Sequence, residues 1–184
     1  MDLIDAPVLA AFVKSFLMLL FVTAALSKLR NLDEFHGVVR NFRLMPDALA
    51  RPVAYLLPPA ELATAIAIAV PATSQVATAL AGALLVVFGA AMAINVLRGR
   101  SQIDCGCFRN GLKQPLSWGV VARNAALATA AFAAAAVPIG VPGGAGLVLG
   151  VVAGGLAMLI YVSATMLGGV SAALRDNPHL ASKG

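Results

Sequence analysis

The chain has 184 residues, of which 60% are hydrophobic and 11% are charged, and its mean hydropathy is +0.90. Since a soluble domain carries about 25% charged residues, this composition excludes an ordinary water-soluble globular protein and predicts an integral membrane protein surrounded by lipid. The formal net charge is +5, but the basic residues flank hydrophobic stretches and are not interleaved with aromatic residues, so the charge does not indicate nucleic-acid binding.

Hydrophobic stretches long enough to cross a bilayer occur five times along the chain. A membrane-spanning helix needs about 20 predominantly apolar residues. The five predicted spans cover residues 7–29, 52–70, 76–97, 117–137 and 145–170. We therefore predict a single all-α transmembrane domain over residues 1–184.

The segment 31–45, between the first two spans, has a different pattern. Its apolar residues recur at helical spacing, at Leu32, Phe35, Val39 and Phe42. This pattern predicts a short amphipathic helix at the membrane interface, with Asn31 and Glu34 as a capping box. A surface loop is the alternative.

Small residues are concentrated in the last two predicted spans. Gly150 and Gly154 form a GxxxG pair with Gly155 beside it, and the fourth span contains the run AALATAAFAAAA. Such residues let helix backbones approach each other closely in lipid. We assign them a packing role and no chemistry.

The distribution of basic residues predicts how the chain crosses the membrane. Of the 13 lysines and arginines, all except Lys14 and Arg123 follow the first, third and fifth spans. They are Lys28, Arg30, Arg40, Arg43, Arg51, Arg98, Arg100, Arg109, Lys113, Arg175 and Lys183. Since positively charged loops stay in the cytoplasm, five spans predict an N-terminus outside and a C-terminus inside. The loop over residues 98–116 then lies on the cytoplasmic side.

This polar loop contains both cysteines of the chain, Cys105 and Cys107, with only Gly106 between them. Two thiols can close a disulfide when their Cα atoms lie within about 7 Å, and the glycine makes the required bend accessible. Strained, exposed disulfides are typical of catalytic or labile pairs. Thiol–disulfide exchange is therefore the leading interpretation of these two candidate catalytic residues. Two alternatives stay open. The pair could bind a soft metal such as copper(I), although no third ligand is evident and we assign no metal site. The two cysteines could also have no function.

Polar side chains also occur inside the predicted spans. Lys14 and Glu61 lie within the first and second spans, and ionisable groups at such depth usually face a partner or a cavity. A Lys14–Glu61 ion pair would be stretched, because the two residues enter from opposite sides, and Lys14 can instead extend to the outer interface. For Glu61 we expect a packing or proton-handling role. Arg123 and Asn124 begin the fourth span, where we interpret Arg123 as an interfacial anchor.

Taken in chain order, these residues resemble those of a known membrane family. The segments LSKLRNLDEFHGVVRNFRLMP, LPPAEL, CGCF and WGVVARN are similar to the pattern of the methylamine utilization MauE family, which is related to DoxX-like four-helix proteins. The matching positions are Ser27, Lys28, Pro58, Glu61, Cys105, Gly106, Cys107, Phe108, Arg123 and Asn124. Arg109 completes the redox loop and stands where the family usually has glycine.

The resemblance implies both a fold and a function. The fold would be a bundle of about five transmembrane helices, with a DoxX-like four-helix core plus one. The function would be maturation of the β subunit of methylamine dehydrogenase, an exported protein with many disulfides, in the bacterial inner membrane and with a thioredoxin-like MauD-type partner. Cys105 and Cys107 carry over as the redox pair, whereas the other matching positions carry over without an assigned role. Because one thiol pair cannot relay electrons across a bilayer, a membrane quinone or a partner would have to accept them.

The residues alone do not exclude two functions of other classes. A non-catalytic membrane scaffold would dock the client, and its cysteines would be incidental. A small transporter or metal carrier would account for Lys14 and Glu61 within the spans, although five spans without a clear inverted repeat argue against it.

Overall fold

The computed structural model describes residues 6–103, 115–137 and 144–176, with side chains as far as residue 167. Six helices occupy most of these ranges: α1 (Ala6–Leu29), α2 (Leu32–Phe42), α3 (Asp47–Ala69), α4 (Ser74–Leu97), α5 (Trp118–Ala136) and α6 (Gly144–Asp176). Within these ranges there is no strand, and all the helices except α2 are long and apolar enough to cross a bilayer. The predicted all-α fold with five spans and one short helix is thereby confirmed, and the protein is a multi-pass membrane protein.

The short helix α2 has the amphipathic pattern that the sequence indicates. It lies inside the predicted segment 31–45, so the surface-loop alternative is wrong. Phe35 is buried against the bundle, whereas the acidic residues of the first turn are exposed. The predicted capping box is wrong, because the side chain of Asn31 makes no capping hydrogen bond. The helix ends at Phe42, and the next residue, Arg43, has a φ of 47°, in the left-handed region that terminates helices.

The helix α3 begins earlier than the predicted start at residue 52. It starts at Asp47, directly after Pro46, and an acidic residue in the first turn suits the positive end of the helix dipole. The helix is continuous through three prolines, at positions 52, 58 and 59. Because proline has no amide hydrogen, the last two leave the carbonyl groups of Ala54 and Tyr55 without their usual helical donors. Polar backbone groups are therefore available in the turns that precede Glu61.

The first five helices are arranged so that the bundle has two distinct ends. At one of them, which we call the α2 end, lie α2, the C-terminal ends of α1 and α4, and the N-terminal ends of α3 and α5. There the guanidinium of Arg98 donates to the carbonyl oxygen of Arg43 at 3.3 Å, which connects the end of α4 to the α2–α3 linker. At the opposite end, the side-chain amide of Gln75 donates to the carbonyl oxygen of Ala135 at 2.8 Å, which connects the start of α4 to the end of α5.

The helix α6 lies parallel to α1 and very close to it, because glycines form its contact face. A Cβ atom at Gly150 would lie 2.8 Å from the Cβ atom of Ala11, and one at Gly154 would lie 2.8 Å from the carbonyl oxygen of Phe12. The hydroxyl of Ser15 lies in this contact and donates to the carbonyl oxygens of Phe12 at 2.9 Å and Gly150 at 3.3 Å. The packing role that the GxxxG pair predicts is confirmed.

We expect Gly154→Ala to destabilise the protein, because the new methyl group would overlap the α1 backbone. Overpacking of this kind costs about 1–3 kcal/mol. Gly155→Ala is the matched control, since no atom lies within 4 Å of its Cβ position and alanine is the better helix former. Thermal unfolding of the purified protein in detergent, followed by circular dichroism, should give a lower midpoint for the first variant only. Equal midpoints would show that α6 does not approach α1 this closely.

Candidate functional site

Four polar side chains from three helices converge near the α2 end of the bundle. Lys28 at the end of α1, Glu61 in α3, and Arg123 with Asn124 at the start of α5 line one cavity, which we call the polar cavity. Lys28, Glu61 and Asn124 are buried, with exposed fractions of 4%, 1% and 4%. All four are among the positions that match the family pattern without an assigned role. Because burying polar groups in a membrane bundle is costly, their convergence indicates a functional site.

Lys28 and Glu61 form an ion pair inside the bundle. Lys28 Nζ donates to Glu61 Oε1, and both side chains are almost fully buried. Glu61 lies about 15 Å along the helix axis from Arg51, the charged residue that precedes it in α3. The Lys28 side chain can reach this depth because helical side chains point back towards the helix N-terminus and the lysine stem is long. The pairing is essential to both residues, since a single buried charge would cost several kcal/mol.

The structure corrects the assignment of Lys14 and Lys28. About 21 Å of helix separates Lys14 from Lys28 along α1, and Lys14 is only half-buried. Glu61 pairs with Lys28, and within the described residues Lys14 has no ion pair. The sequence placed Lys28 with the loop charges because it stands at the edge of its span. It belongs to the interior of the bundle.

Two phenylalanine rings lie close to the ammonium group of Lys28. The ring centroids of Phe35 in α2 and Phe88 in α4 are each 5.3 Å from Nζ. A cation over an aromatic face at this distance is stabilised by about 0.5–2 kcal/mol. Phe35 is the buried residue of α2, so the amphipathic helix contributes directly to the site.

Arg123 and Asn124 form another part of the cavity wall. The Cζ atom of Arg123 is 5.3 Å from the ring centroid of Tyr161 in α6. Its Nε atom is buried and has no hydrogen-bond partner in the part of the chain that the structure describes. The side-chain amide of Asn124 donates to Met92 Sδ at 3.9 Å. Arg123 is half-buried and lines the polar cavity, and its role as an interfacial anchor stays a prediction.

The polar cavity can hold water or a small acceptor group. Its free volume of about 30 Å³ accommodates one or two water molecules. Glu61 Oε2 is buried and accepts no hydrogen bond from the described residues. The cavity has two cationic side chains and one anionic side chain, so its net positive charge favours a ligand with acceptor oxygens. Nowhere in the described ranges do three His, Cys, Asp or Glu side chains come together as metal ligands would.

The predicted redox loop lies largely outside the described residues, and this applies to Cys105, Gly106, Cys107, Phe108 and Arg109. The residues on either side of that segment are connected, because the amide of Leu116 donates to the carbonyl oxygens of Ser101 at 2.9 Å and Ile103 at 3.1 Å. Leu116 is buried and packs in one cluster with Ile103 and Met92. Met92 in turn contacts Asn124 of the polar cavity. The segment with both cysteines therefore begins and ends at the α2 end, beside the cavity.

The sequence did not reveal which aromatic rings lie against the cations of the site, namely Phe35, Phe88 and Tyr161. An aromatic residue in an apolar stretch has no feature that distinguishes a ring facing a cation from one facing lipid. The sequence contained no signal for the ion pair either, because Lys28 stands at the edge of its span and Glu61 lies near the middle of the next one.

The chain is similar to known proteins over nearly its whole length. The family model described as "Methylamine utilisation protein MauE" matches residues 6–139. Two proteins named "Methylamine utilization protein MauE", from Paracoccus denitrificans and Paracoccus versutus, are 54% and 56% identical over 96% and 93% of both chains, respectively. The protein of that name from Methylorubrum extorquens is 51% identical over 96% of both chains. No solved structure matches the chain significantly.

Replacing one partner of the ion pair should destabilise the protein more than replacing both. Lys28→Met leaves a buried carboxylate and Glu61→Gln leaves a buried ammonium, each at a cost of about 3–5 kcal/mol. The double variant removes both charges and should recover a large part of this loss. The measurement is a double-mutant cycle of unfolding free energies in detergent.

The control cycle combines Lys14→Met with Glu61→Gln, whose effects should be additive because the two side chains do not meet. A coupling free energy near zero between Lys28 and Glu61 would contradict the pairing. A larger coupling between Lys14 and Glu61 would contradict it as well.

Proposed function

This chain belongs to the MauE family of methylamine utilisation proteins, and we propose that it is a membrane accessory protein for maturation of the β subunit of methylamine dehydrogenase. It acts by thiol–disulfide exchange through Cys105 and Cys107, together with a thioredoxin-like partner of the MauD type. Family membership supports the role in methylamine utilisation. The position at which the cysteine-bearing segment joins the bundle, and the basic residues before it, support the mechanism. The relation to DoxX-like proteins stays a prediction.

The observation that carries the mechanism is where this segment joins the bundle. Its flanking residues Ile103 and Leu116 are connected by a backbone hydrogen bond of 3.1 Å and pack at the α2 end. Arg98 and Arg100 directly precede it, and a positively charged setting favours the thiolate, which is the reactive form of cysteine. A buried polar cavity adjoins this attachment point. These features suit a reactive thiol pair better than a structural one.

The exchange proceeds in two balanced steps. A thiolate of the partner attacks the disulfide of Cys105 and Cys107, so that a mixed disulfide forms and one sulfur leaves as a thiolate. The second thiolate of the partner then breaks the mixed disulfide, which leaves the partner oxidised and the cysteine pair reduced. Gly106 allows the pair to close again. Closing it requires an acceptor of two electrons and two protons.

We place the protein in the bacterial inner membrane with the α2 end towards the cytoplasm. The exposed loop residues Arg30, Arg43 and Arg98 lie at that end, whereas the described α3–α4 turn at the opposite end carries no charge. The preference of basic loops for the cytoplasm supports this orientation. The exported client lies on the other side of the bilayer. A lipid-soluble electron carrier or a partner must therefore connect the two sides.

Cys105→Ser and Cys107→Ser should each abolish client maturation, because a single thiol cannot close a disulfide. We expect mature β subunit to fall at least ~10-fold, since the remaining thiol stops at the mixed disulfide. The measurement is an immunoblot of the subunit after alkylation of free thiols. Ser101→Ala is the matched control, because it removes a hydroxyl group just before the same segment and leaves both thiols intact.

Full maturation by a double-serine variant would contradict the mechanism and favour the scaffold function. Single-cysteine variants provide an independent distinction, since exchange should trap mixed disulfides with the partner and a scaffold should trap none. Copper analysis of the purified, reduced protein tests the metal-carrier alternative. A stoichiometry near zero would remove it.

A membrane-impermeant thiol reagent tests the orientation. We expect Cys105 and Cys107 to be unlabelled in intact cells and labelled after the membrane is permeabilised, because their loop follows the basic side of the bundle. Ala72→Cys, at the exposed turn of the opposite end, is the control in a background without the native cysteines and should be labelled in intact cells. Labelling of the native pair in intact cells would reverse the orientation and put the pair on the side of the exported client.

A further inference from the structure

A groove beside the polar cavity lies between α2, α3 and α4. Its lining is apolar except for Lys28, and its free volume is about 170 Å³. An apolar cavity of roughly 150 Å³ holds a benzene ring, so the groove is large enough for a six-membered ring. Val87 at its edge is 61% exposed on the outer surface of a spanning helix, where the surroundings are lipid. The groove therefore suits a ligand that arrives through the membrane.

The charged group of the groove is the ammonium of Lys28. An ammonium has three N–H donors, and one of them goes to Glu61 Oε1. Among the described residues, the ammonium otherwise meets the rings of Phe35 and Phe88. Lys28 and Phe88 line both the groove and the polar cavity, so the ammonium lies where the two adjoin. An apolar molecule whose inner end has a hydrogen-bond acceptor would complement this arrangement.

This polarity distinguishes between membrane molecules. An acyl chain in the groove would present a methyl group to the ammonium, and its headgroup would stay at the interface. A quinone would present a carbonyl oxygen to the ammonium and a flat ring to the neighbouring phenylalanines, while its tail would extend into lipid. Only the second arrangement uses the buried donor groups.

The groove also adjoins the attachment point of the cysteine-bearing segment. Ile103 and Leu116 belong to one packed cluster with Phe42, Phe88 and Met92, and the last three residues line the groove. A ligand in the groove would therefore lie at the same end of the bundle as the ends of that segment.

We propose that this groove binds a membrane quinone, with Lys28 Nζ donating to a ring carbonyl oxygen and the isoprenoid tail leaving past Val87. The redox step rests on the proposed function. When Cys105 and Cys107 close their disulfide, two S–H bonds break and one S–S bond forms. The two electrons and two protons released convert both ring carbonyls of the quinone to hydroxyls. Glu61, paired with Lys28, adjoins the carbonyl position and can pass on a proton through its second oxygen.

The binding experiment uses the full chain in nanodiscs without endogenous quinone, titrated calorimetrically with decylubiquinone. We expect saturable binding with one site per chain. Leu57→Trp places an indole in the groove and should weaken binding at least ~10-fold, because the ring site is occupied. Leu56→Trp is the matched control, since this neighbouring side chain is 69% exposed and does not line the groove, and its affinity should stay within about twofold of wild type.

Two further titrations test the role of the ammonium. The double variant Lys28→Met/Glu61→Gln keeps the charge balance and should weaken binding about tenfold or more through loss of a charged hydrogen bond. Decylbenzene, which has the ring and tail but no carbonyl group, should bind at least ~10-fold more weakly to the wild type. Equal affinity for both ligands would identify the groove as a site for acyl chains and overturn the proposal. Absence of saturable binding, or equal binding by the two tryptophan variants, would also overturn it.

The quinone site and the proposed function can fail separately. The double variant Cys105→Ser/Cys107→Ser should bind decylubiquinone with wild-type affinity, because the groove does not include the cysteines. If this variant binds the quinone and also matures the client, the site stands and the thiol mechanism is wrong. If the wild type binds no quinone but needs both cysteines for maturation, the thiol mechanism stands and this inference is wrong.

Discussion

A charge inside a membrane helix bundle has to be neutralised, and much of the α2 end is organised around that requirement. Lys28 and Glu61 come from different helices and are both almost completely removed from the surroundings. Their pairing fixes the height of α1 against α3. It also explains why a short amphipathic helix folds against the bundle, since Phe35 of α2 lies against the ammonium group. Without Phe35 the ammonium group of Lys28 would be exposed to the membrane interface.

The two ends of the bundle thus differ in what their residues do. Near the opposite end, small residues bring helices together, as where Gly154 lies against the α1 backbone. At the α2 end, polar groups, a lipid-facing groove and the attachment of the cysteine-bearing segment occur side by side. A thiol pair that passes electrons to a lipid-soluble acceptor needs these elements close together. The proposed function and the proposed quinone site therefore depend on the same local architecture.

The sequence predicted the fold well because the bilayer restricts the choices. Hydropathy located the five spans, and the GxxxG pair indicated a close helix contact. The spacing around Phe35 predicted α2. The sequence did not predict how deep a polar side chain lies in the bundle or which residue it pairs with. A lysine at the edge of a span looks like a topology signal, and Lys28 was counted as one. Only the packing of three helices shows that Lys28 reaches Glu61 and that Arg123 lines the same cavity.

Family resemblance gave a set of matching positions without assigning them a joint role. Lys28, Glu61, Arg123 and Asn124 are far apart in the chain, and no periodic pattern connects them. In the structure all four residues line one cavity. The central claim is that Lys28 and Glu61 meet there as ammonium and carboxylate. Infrared difference spectroscopy between wild type and Glu61→Gln tests it most directly. The account predicts that the substitution removes an ionised carboxylate band, and removal of a protonated carboxyl band instead would contradict it.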